Sequence, residues 1–194
     1  MSLKEVLIDE LRDMYSAENQ LVKALPKLAK GTNDATLAQL FKDHLEETKG
    51  QVIRLRGVFE TLGEKPTGQH CSGMEGVIEE GKDALEKGTD NASFDAGIIG
   101  AALRTEHYEI AGYQACLAMA KSLNLKDVIG PLTQNLNEEL TAADKVTAAS
   151  INILKQASAE PEQDTEPKTA KEKYSEKKSK EDESKAAVDI KKRR

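Results

Sequence analysis

The chain has 194 residues, which is enough for one ordinary domain followed by a tail. Aromatic residues make up only 4% of it and tryptophan is absent, so the composition favours helices over sheets. The formal net charge of −6 gives no electrostatic reason to expect a nucleic acid as a partner, and we expect none.

The sequence has no feature of an exported or membrane protein. No apolar segment approaches the roughly 18–20 residues that cross a bilayer, and charged residues are spread through the start, MSLKEVLIDELRDM. We therefore expect a cytoplasmic protein without a membrane partner. Cys71 and Cys116 lie far apart and outside any CxxC pair, which predicts two free thiols.

Apolar residues at alternating three- and four-residue steps predict a first helix over residues 2–30 and a second over residues 34–62. Pro26 predicts a kink or an irregular last turn in the first helix, and Gly31 is expected to end it. Asp34 is a suitable N-cap for the second helix, which Gly63 ends.

The segment GEKPTGQHCSG is a loop by its glycine and proline content, and the following MEGVIEEGKDALEK predicts a short amphipathic helix closed by Gly88. Two more long helices are predicted over residues 93–123 and 126–157, separated by NLK. Pro131 lies in the first turns of the last helix, where proline is tolerated best. No β-strand is predicted.

The composition changes at Ser158. The remaining segment has few apolar side chains and mixes both charge signs densely, so it cannot bury enough surface to offset its ordering entropy. We therefore expect two regions, a helical bundle over residues 1–157 and a disordered charged tail over residues 158–194.

The lengths of the connections predict the topology. The first and last connections between the long helices are short, whereas about thirty residues, including the short helix, separate the second long helix from the third. This arrangement is typical of an all-α, ferritin-like four-helix bundle with one long crossover.

Three of the four long helices direct glutamate towards the interior of this bundle. An ideal helix turns about 100° per residue, and on that basis Glu18, Glu106, Glu109 and Glu139 fall within the apolar sectors of their helices. A single glutamate at such a position is more often a boundary residue that reaches water. Agreement between three helices at a similar level predicts a metal site.

The second long helix leaves its contribution open. Leu45 and Thr48 lie on its apolar face, His44 and Gln51 lie on one shoulder of that face, and Glu47 lies just beyond them. His44 has the better direction, whereas Glu47 must swing inward. Either residue is a candidate ligand.

Converging carboxylates in an apolar interior repel one another and raise one another's pKa values. A pair of divalent or trivalent cations removes this repulsion, as in di-iron and di-manganese bundles, and hard oxygen donors with one nitrogen suit iron or manganese. The sequence therefore predicts two such ions as cofactors.

The segments that carry these residues resemble a known family, the ferritin-like bacterial stress proteins of the YciE/YciF type. The similarity covers about residues 3–155 and is carried, in matching order and spacing, by LRDMYSAENQLVKALPKLAKG, HLEETKGQ, GMEGVIEEG, RTEHYEIAGY and LNEELTAADK. The resemblance implies a rubrerythrin-related bundle that forms a homodimer, is associated with stress responses and has a di-metal site.

The resemblance also implies, by position, six metal ligands, which are Glu18, Glu47, Gln51, Glu106, Glu109 and Glu139. Two positions depart from the family. Relatives carry histidine where this chain has Gln51, whose amide oxygen is a poorer ligand, and aspartate where it has Ala143. One of the two metal positions is therefore expected to bind weakly or not at all.

Two functions of different classes follow. The first is an oxidoreductase-like protein whose two iron or manganese ions consume peroxide or oxidise Fe(II), although no catalytic side chain can be assigned. The second is a non-enzymatic stress protein that acts through dimerisation or partner binding and retains a degraded metal site. Iron sequestration is a third reading, but the sequence has no sign of a surface that would form a cage.

Overall fold

The computed structural model describes residues 1–67, 69–88 and 91–160. All regular secondary structure within these ranges is helical, in five elements: α1 (Leu3–Gly31), α2 (Ala35–Leu62), α3 (Ser72–Glu86), α4 (Ala92–Ser122) and α5 (Lys126–Ala157). None of these described helices is long and apolar enough to cross a membrane. The tail predicted over residues 158–194 lies outside the described residues from residue 161 onward.

The four long helices form one bundle, and α3 lies in the connection between α2 and α4. Helix α1 packs on α2 and α4, α5 packs on α4 and α2, and α3 packs on α4 and α1. The predicted all-α, ferritin-like bundle with one long crossover and a short crossover helix is therefore confirmed.

Local capping explains both ends of α2 and the start of α1. Ser2 and Glu5 form a capping box at the start of α1, and Asp34 caps α2 by accepting a hydrogen bond from the amide of Leu37 at 2.8 Å. Gly63 ends α2 in the left-handed conformation, with φ of 70°, which glycine adopts without steric cost.

Of the two outcomes predicted for Pro26, the irregular last turn is wrong and the kink stays a prediction. Helix α1 continues as α-helix through Pro26 and Gly31, and Thr32 forms its C-cap. Proline removes one backbone hydrogen bond, but Leu25 and Leu28 pack against the core on either side of Pro26. Tertiary packing of this kind supplies most of the stability of a helix in a protein.

Two apolar clusters occupy opposite ends of the long helices. One contains Leu7 and Leu11 of α1 with Phe59 of α2, and the other contains Leu25 of α1 with Phe41 of α2. The stretch of each helix between the two clusters carries buried polar side chains, which are Glu18, His44, Thr48, Gln51, Thr105, Glu106, Glu109, Asn135 and Glu139. The middle of the bundle is therefore polar and both ends are apolar.

The turn between α1 and α2 is tied to the start of α4 by Asp95. This side chain is only 3% exposed. Its carboxylate accepts hydrogen bonds from the hydroxyl of Thr32 at 2.6 Å and from the amides of Asn33 and Asp34, both at 2.9 Å. The contact fixes α1 and α2 relative to α4, and the polar centre is built on these three helices and α5.

Candidate metal centre

The inward glutamates occupy core positions because of the helical repeat of their neighbours. Glu18 lies four residues after Met14 and three before Leu21, and both of these apolar side chains are buried. Glu109 lies four residues before the buried Tyr113 of α4. Glu18 and Glu109 have no solvent-exposed surface, so the inward direction predicted from periodicity is confirmed for them.

Four side chains from three helices converge on one point. His44 of α2, Glu106 and Glu109 of α4, and Glu139 of α5 each offer a ligand atom, and these atoms all lie within 4.8 Å of one another. The Nε2 atom of His44 is 3.5 Å from the Oε2 atom of Glu106 and 3.7 Å from the Oε2 atom of Glu139. We call this group the centre.

The centre and its neighbours have buried polar atoms that lack a hydrogen-bond partner. Among the described residues, such atoms without a hydrogen-bond partner are Glu18 Oε2, His44 Nε2, Gln51 Oε1, Glu106 Oε2, both carboxylate oxygens of Glu109, Glu139 Oε2 and Arg12 Nε. All but Arg12 Nε belong to the polar middle of the bundle. Buried polar atoms are normally paired. A cation in the centre would pair with the atoms of His44, Glu106, Glu109 and Glu139 in this set, so the residues present fit a metal.

The ionisation of the glutamates reflects their burial. Burial raises the pKa of Glu18, Glu106 and Glu109 well above the ordinary value of 4.5, and the negative charge of Glu139 raises each of them further. Burial also raises the pKa of Glu139. In the absence of a cation, some of these carboxyl groups therefore hold protons at neutral pH.

The pKa of His44 is also raised, but here burial acts in the opposite direction. Burial lowers the pKa of His44, but the negative charge of Glu106 and the hydrogen bond with Glu47 outweigh this effect and raise it to about 10. A protonated imidazole beside carboxylates is the arrangement that a centre without a cation adopts. Metal binding at this nitrogen requires the proton to leave.

The position of Glu47 differs from that of the other predicted ligands. Its side chain is 31% exposed, with Oε2 lying 3.3 Å from the Nδ1 atom of His44 and Oε1 lying 3.4 Å from the Nζ atom of Lys145. It therefore contacts the outer nitrogen of the imidazole and leaves Nε2 facing the centre. Of the two candidates that the sequence left open on α2, the structure brings His44 to the centre and leaves Glu47 outside it.

Gln51 and Glu18 flank the centre. The buried Gln51 amide donates a hydrogen bond to the Oε1 atom of Glu139, and the hydroxyl of Tyr113 donates one to the Oε1 atom of Glu18. Asn135 donates to the same Tyr113 hydroxyl at 2.8 Å. These contacts hold one oxygen of each glutamate and leave the other unpaired.

A small cavity of about 10 Å³ adjoins His44 and Glu106 and is also lined by Phe41, Ala142 and Val146. One water-sized sphere occupies roughly this volume. The cavity lies between α2, α4 and α5, with Glu47 and Lys145 at its margin. One water-sized ligand therefore fits beside His44 and Glu106, on the side of the centre that faces Glu47 and Lys145.

Asn135 and Arg54 lie beside the centre and were not predicted from the sequence. Asn135 is fully buried, and its amide oxygen accepts a hydrogen bond from Nε of Arg54 at 2.5 Å, while Arg54 also contacts Glu138. The position of Asn135 beside the apolar face of α5 does not indicate that its partner is Arg54, 81 positions away in the sequence. The hydroxyl of the buried Tyr113 also reaches this region, through its hydrogen bond to Glu18.

Fold and site together define a ferritin-like helical-bundle protein with a buried cluster of one histidine and several carboxylates. The chain belongs to the family described as a domain of unknown function, DUF892, which residues 2–159 match. The resemblance to the YciE/YciF-type proteins is confirmed by protein YciF of Escherichia coli K12. YciF and this chain are 40% identical over 152 residues, which is 78% of this chain and 92% of YciF.

Solved structures agree with this assignment. The crystal structure of the E. coli stress protein YciF matches with a TM-score of 0.78 and 39% identity, over 80% of this chain and 99% of that one. The protein YcfI from Rhodopseudomonas palustris matches with a TM-score of 0.73 and 40% identity, over 76% and 94%. A protein from Xanthomonas campestris pv. campestris, at 22% identity and a TM-score of 0.60, shares the fold.

Proposed function

We propose that the centre binds iron or manganese and that the protein is a ferritin-like stress protein that consumes peroxide or oxidises Fe(II). The observation that carries this proposal is the set of unpaired buried atoms on Glu18, His44, Gln51, Glu106, Glu109 and Glu139. Leaving so many polar groups unsatisfied is costly, and a cation removes that cost. The stress role rests on the similar E. coli protein, which is called a stress protein.

His44, Glu106, Glu109 and Glu139 would hold the first ion, because their ligand atoms already lie within 4.8 Å of one another. Glu18 and Gln51 would complete a second, weaker position. The family resemblance implied Glu47 as a ligand. Its carboxylate could contact an ion at either position only by giving up its contact with His44. Carboxylate oxygens with one imidazole nitrogen suit iron or manganese. When bound, such an ion supplies redox and Lewis-acid chemistry to an oxidant at an open coordination position.

The protein's own side chains prepare the centre for this role. Glu47 fixes the imidazole of His44 through its outer nitrogen, an interaction that orients histidine ligands generally. The hydroxyl of Tyr113 and the amide of Gln51 fix Glu18 and Glu139. The apolar clusters at both ends of the helices exclude bulk water, which strengthens every electrostatic interaction at the centre.

One observation favours a second function, a non-enzymatic stress protein with a degraded site. The amide of Gln51 already donates a hydrogen bond to one oxygen of Glu139. Ala143, which is buried on α5 one turn after Glu139, supplies no ligand. A site with fewer charged donors binds metal more weakly. Under this alternative the protein acts through dimerisation or partner binding. The homodimer, the cytoplasmic location and the division at residue 157 stay predictions.

Metal analysis of protein purified without chelator, followed by a peroxide-consumption assay, tests the proposal. We expect at least one iron or manganese ion per chain, and peroxide consumption that chelation abolishes. Glu109→Gln should reduce both, since it removes a charged donor. Glu46→Gln, on a side chain that is 70% exposed on α2, is the matched control and should change neither.

Stability without metal separates the two roles of Glu109. Removing one of several like charges from an empty centre relieves repulsion, so metal-free Glu109→Gln should melt at the same temperature as the parent or higher. If the metal-free variant melts at a much lower temperature than the metal-free parent, while the variant as purified holds as much metal as the parent, Glu109 is a structural residue. Metal binding without any peroxide consumption or Fe(II) oxidation would favour the non-enzymatic alternative.

A further inference from the structure

A groove of about 220 Å³ lies between α1, α3 and α4, on the surface of the bundle and apart from the centre. Its walls are mostly apolar and include Leu21 and Ala24 of α1, Ile78 and Leu85 of α3, and Ala101 of α4. A cavity of about 150 Å³ with apolar walls is large enough for benzene. This groove therefore has room for a short alkyl chain.

Gly81 lines the groove on α3. A Cβ atom at this position would lie 3.8 Å from the Cβ atom of Ala101 and 4.0 Å from a methyl group of Leu28, which are ordinary contacts. A methyl group would therefore fit at Gly81 without displacing these neighbours, and glycine leaves that space to the groove. The neighbouring Ala24 and Ala101 are also small, so the groove has depth between larger residues.

The rim of the groove carries positive charge that the protein leaves unneutralised. Lys23 and Lys27 lie one turn apart on α1 and line the rim, and neither forms an ion pair with any residue that the structure describes. The other charged residues of the rim have partners of their own. Lys82 pairs with Glu79 at 2.6 Å, and Glu75 contacts Nε2 of His70 at 3.0 Å, so Glu75 offsets at most one of the two lysine charges. In a chain with a net charge of −6, two free cations beside an apolar groove are a distinct local feature.

We propose that this groove binds a medium-chain fatty acid, with the alkyl chain between α1 and α3 and the carboxylate beside Lys23 and Lys27. The apolar walls supply the hydrophobic contribution, which grows with each buried methylene group. The two lysines supply charge complementarity and determine the sign of the ligand. The proposal is independent of the metal centre, since no residue of the centre lines the groove.

Calorimetric titration of the full chain with decanoate, below its micelle-forming concentration, tests the proposal. Decanol and decyltrimethylammonium are matched ligands that share the alkyl chain and differ in head-group charge. Decanoate is expected to bind at one site, decanol about fivefold to tenfold more weakly, and the cation not measurably, because each exposed ion pair contributes modestly. Failure of decanoate to saturate one site, or equal binding of decanol, would overturn the proposal.

Variants locate the site. Ala24→Phe should abolish decanoate binding by filling the groove, and Lys23→Gln/Lys27→Gln should weaken it about tenfold. Lys121→Gln/Lys126→Gln, at exposed positions near the turn between α4 and α5, makes the same change in net charge and should bind decanoate as the parent does. Because Lys23 and Lys27 are exposed, their double variant tests the proposal even if Ala24→Phe does not fold. Parent-like binding by the Lys23→Gln/Lys27→Gln variant would place any fatty-acid site elsewhere.

Discussion

His44 shows how a single residue connects the surface of the bundle to the centre. Its Nδ1 atom contacts Glu47, which is partly exposed and also contacts Lys145, while its Nε2 atom faces Glu106 and Glu139. The imidazole is therefore fixed on its outer side before any ligand binds on its inner side. Glu47 therefore orients the imidazole although it lies outside the centre.

Ala143 is the residue whose replacement tests the centre by adding a ligand. It is 7% exposed and lies one turn after Glu139 on α5. Ala143→Asp should tighten iron or manganese binding, because it adds a charged oxygen donor. Without metal the same change adds a carboxyl group to a crowded interior and should lower the free energy of unfolding by about 1–3 kcal/mol.

Thermal melts with and without metal separate these two effects, because they have opposite signs. Ala148→Asp introduces the same side chain at an exposed position of α5 and should show neither effect. If added metal does not restore the stability of Ala143→Asp, the middle of the bundle is not a metal site in this protein.

At the scale of helices, Asp95 joins the turn between α1 and α2 to the start of α4. Its carboxylate accepts three hydrogen bonds, two of them from backbone amides that have no helical partner at the start of α2. Asp95→Ala should lower the free energy of unfolding by about 1–3 kcal/mol, measured by urea denaturation. Asp144→Ala, at an exposed position of α5, is the control and should have little effect. Equal stability of the two variants would mean that the turn is held by packing alone.

Helix boundaries and inward glutamates were predictable from the sequence because both depend on local signals. Asp34 and Gly63 cap α2 as their chemistry requires, and α5 spans Lys126–Ala157 as predicted. Glu18 and Glu139 are buried because they repeat in phase with apolar neighbours. These features require only the helical period and the capping preferences of a few residues.

The exact faces of α2 and α5 were not predictable in the same way. Leu45 and Leu136 continue the apolar pattern of their helices, but both are only partly buried, while their neighbours His44 and Asn135 are buried. The helices present these polar residues because each has a partner on another helix. A hydrophobic pattern read on one helix contains no information about such partners.

The start of α3 also depends on contacts that are distant in sequence. The sulfur of Cys71, which caps α3, lies 3.0 Å from Oδ2 of Asp13 on α1 and 3.0 Å from the hydroxyl of Tyr108 on α4. Burial and the hydrogen bond to Asp13 raise the pKa of the Cys71 thiol, so it stays protonated and donates. The prediction of two free thiols is confirmed, but this structural role for one of them was not apparent from the sequence.

At the scale of the whole molecule, the polar middle of the bundle opposes the stability that the two apolar clusters provide. Converging carboxyl groups there must either hold protons or bind a cation. The stability of the protein is therefore linked to pH and, through the proposed ion, to metal. The direction of the pH dependence follows from the shifts in pKa on folding.

Folding raises the pKa of Glu18, Glu106 and Glu109 well above 4.5, and that of His44 from 6.5 to about 10. Between about pH 5 and pH 9 the folded protein therefore binds more protons than the unfolded chain. Stability that is fully present below the unfolded pKa values is lost as the pH rises. Urea midpoints of the metal-free protein should fall from pH 5 to pH 8, and the fall should be smaller in Glu109→Gln, which has one fewer such group.

Metal reverses this dependence, since a cation binds the deprotonated ligands and its affinity rises with pH. With manganese(II) in excess, the difference in urea midpoint between metal-loaded and metal-free protein should therefore widen from pH 5 to pH 8. The control is calcium at the same concentration, which carries the same charge but prefers six to eight oxygen ligands and should stabilise the protein much less. A midpoint for the metal-free protein that rises over this range would mean that the buried glutamates are ionised and paired without a metal. A manganese effect that does not change with pH would mean that the ion binds outside the centre.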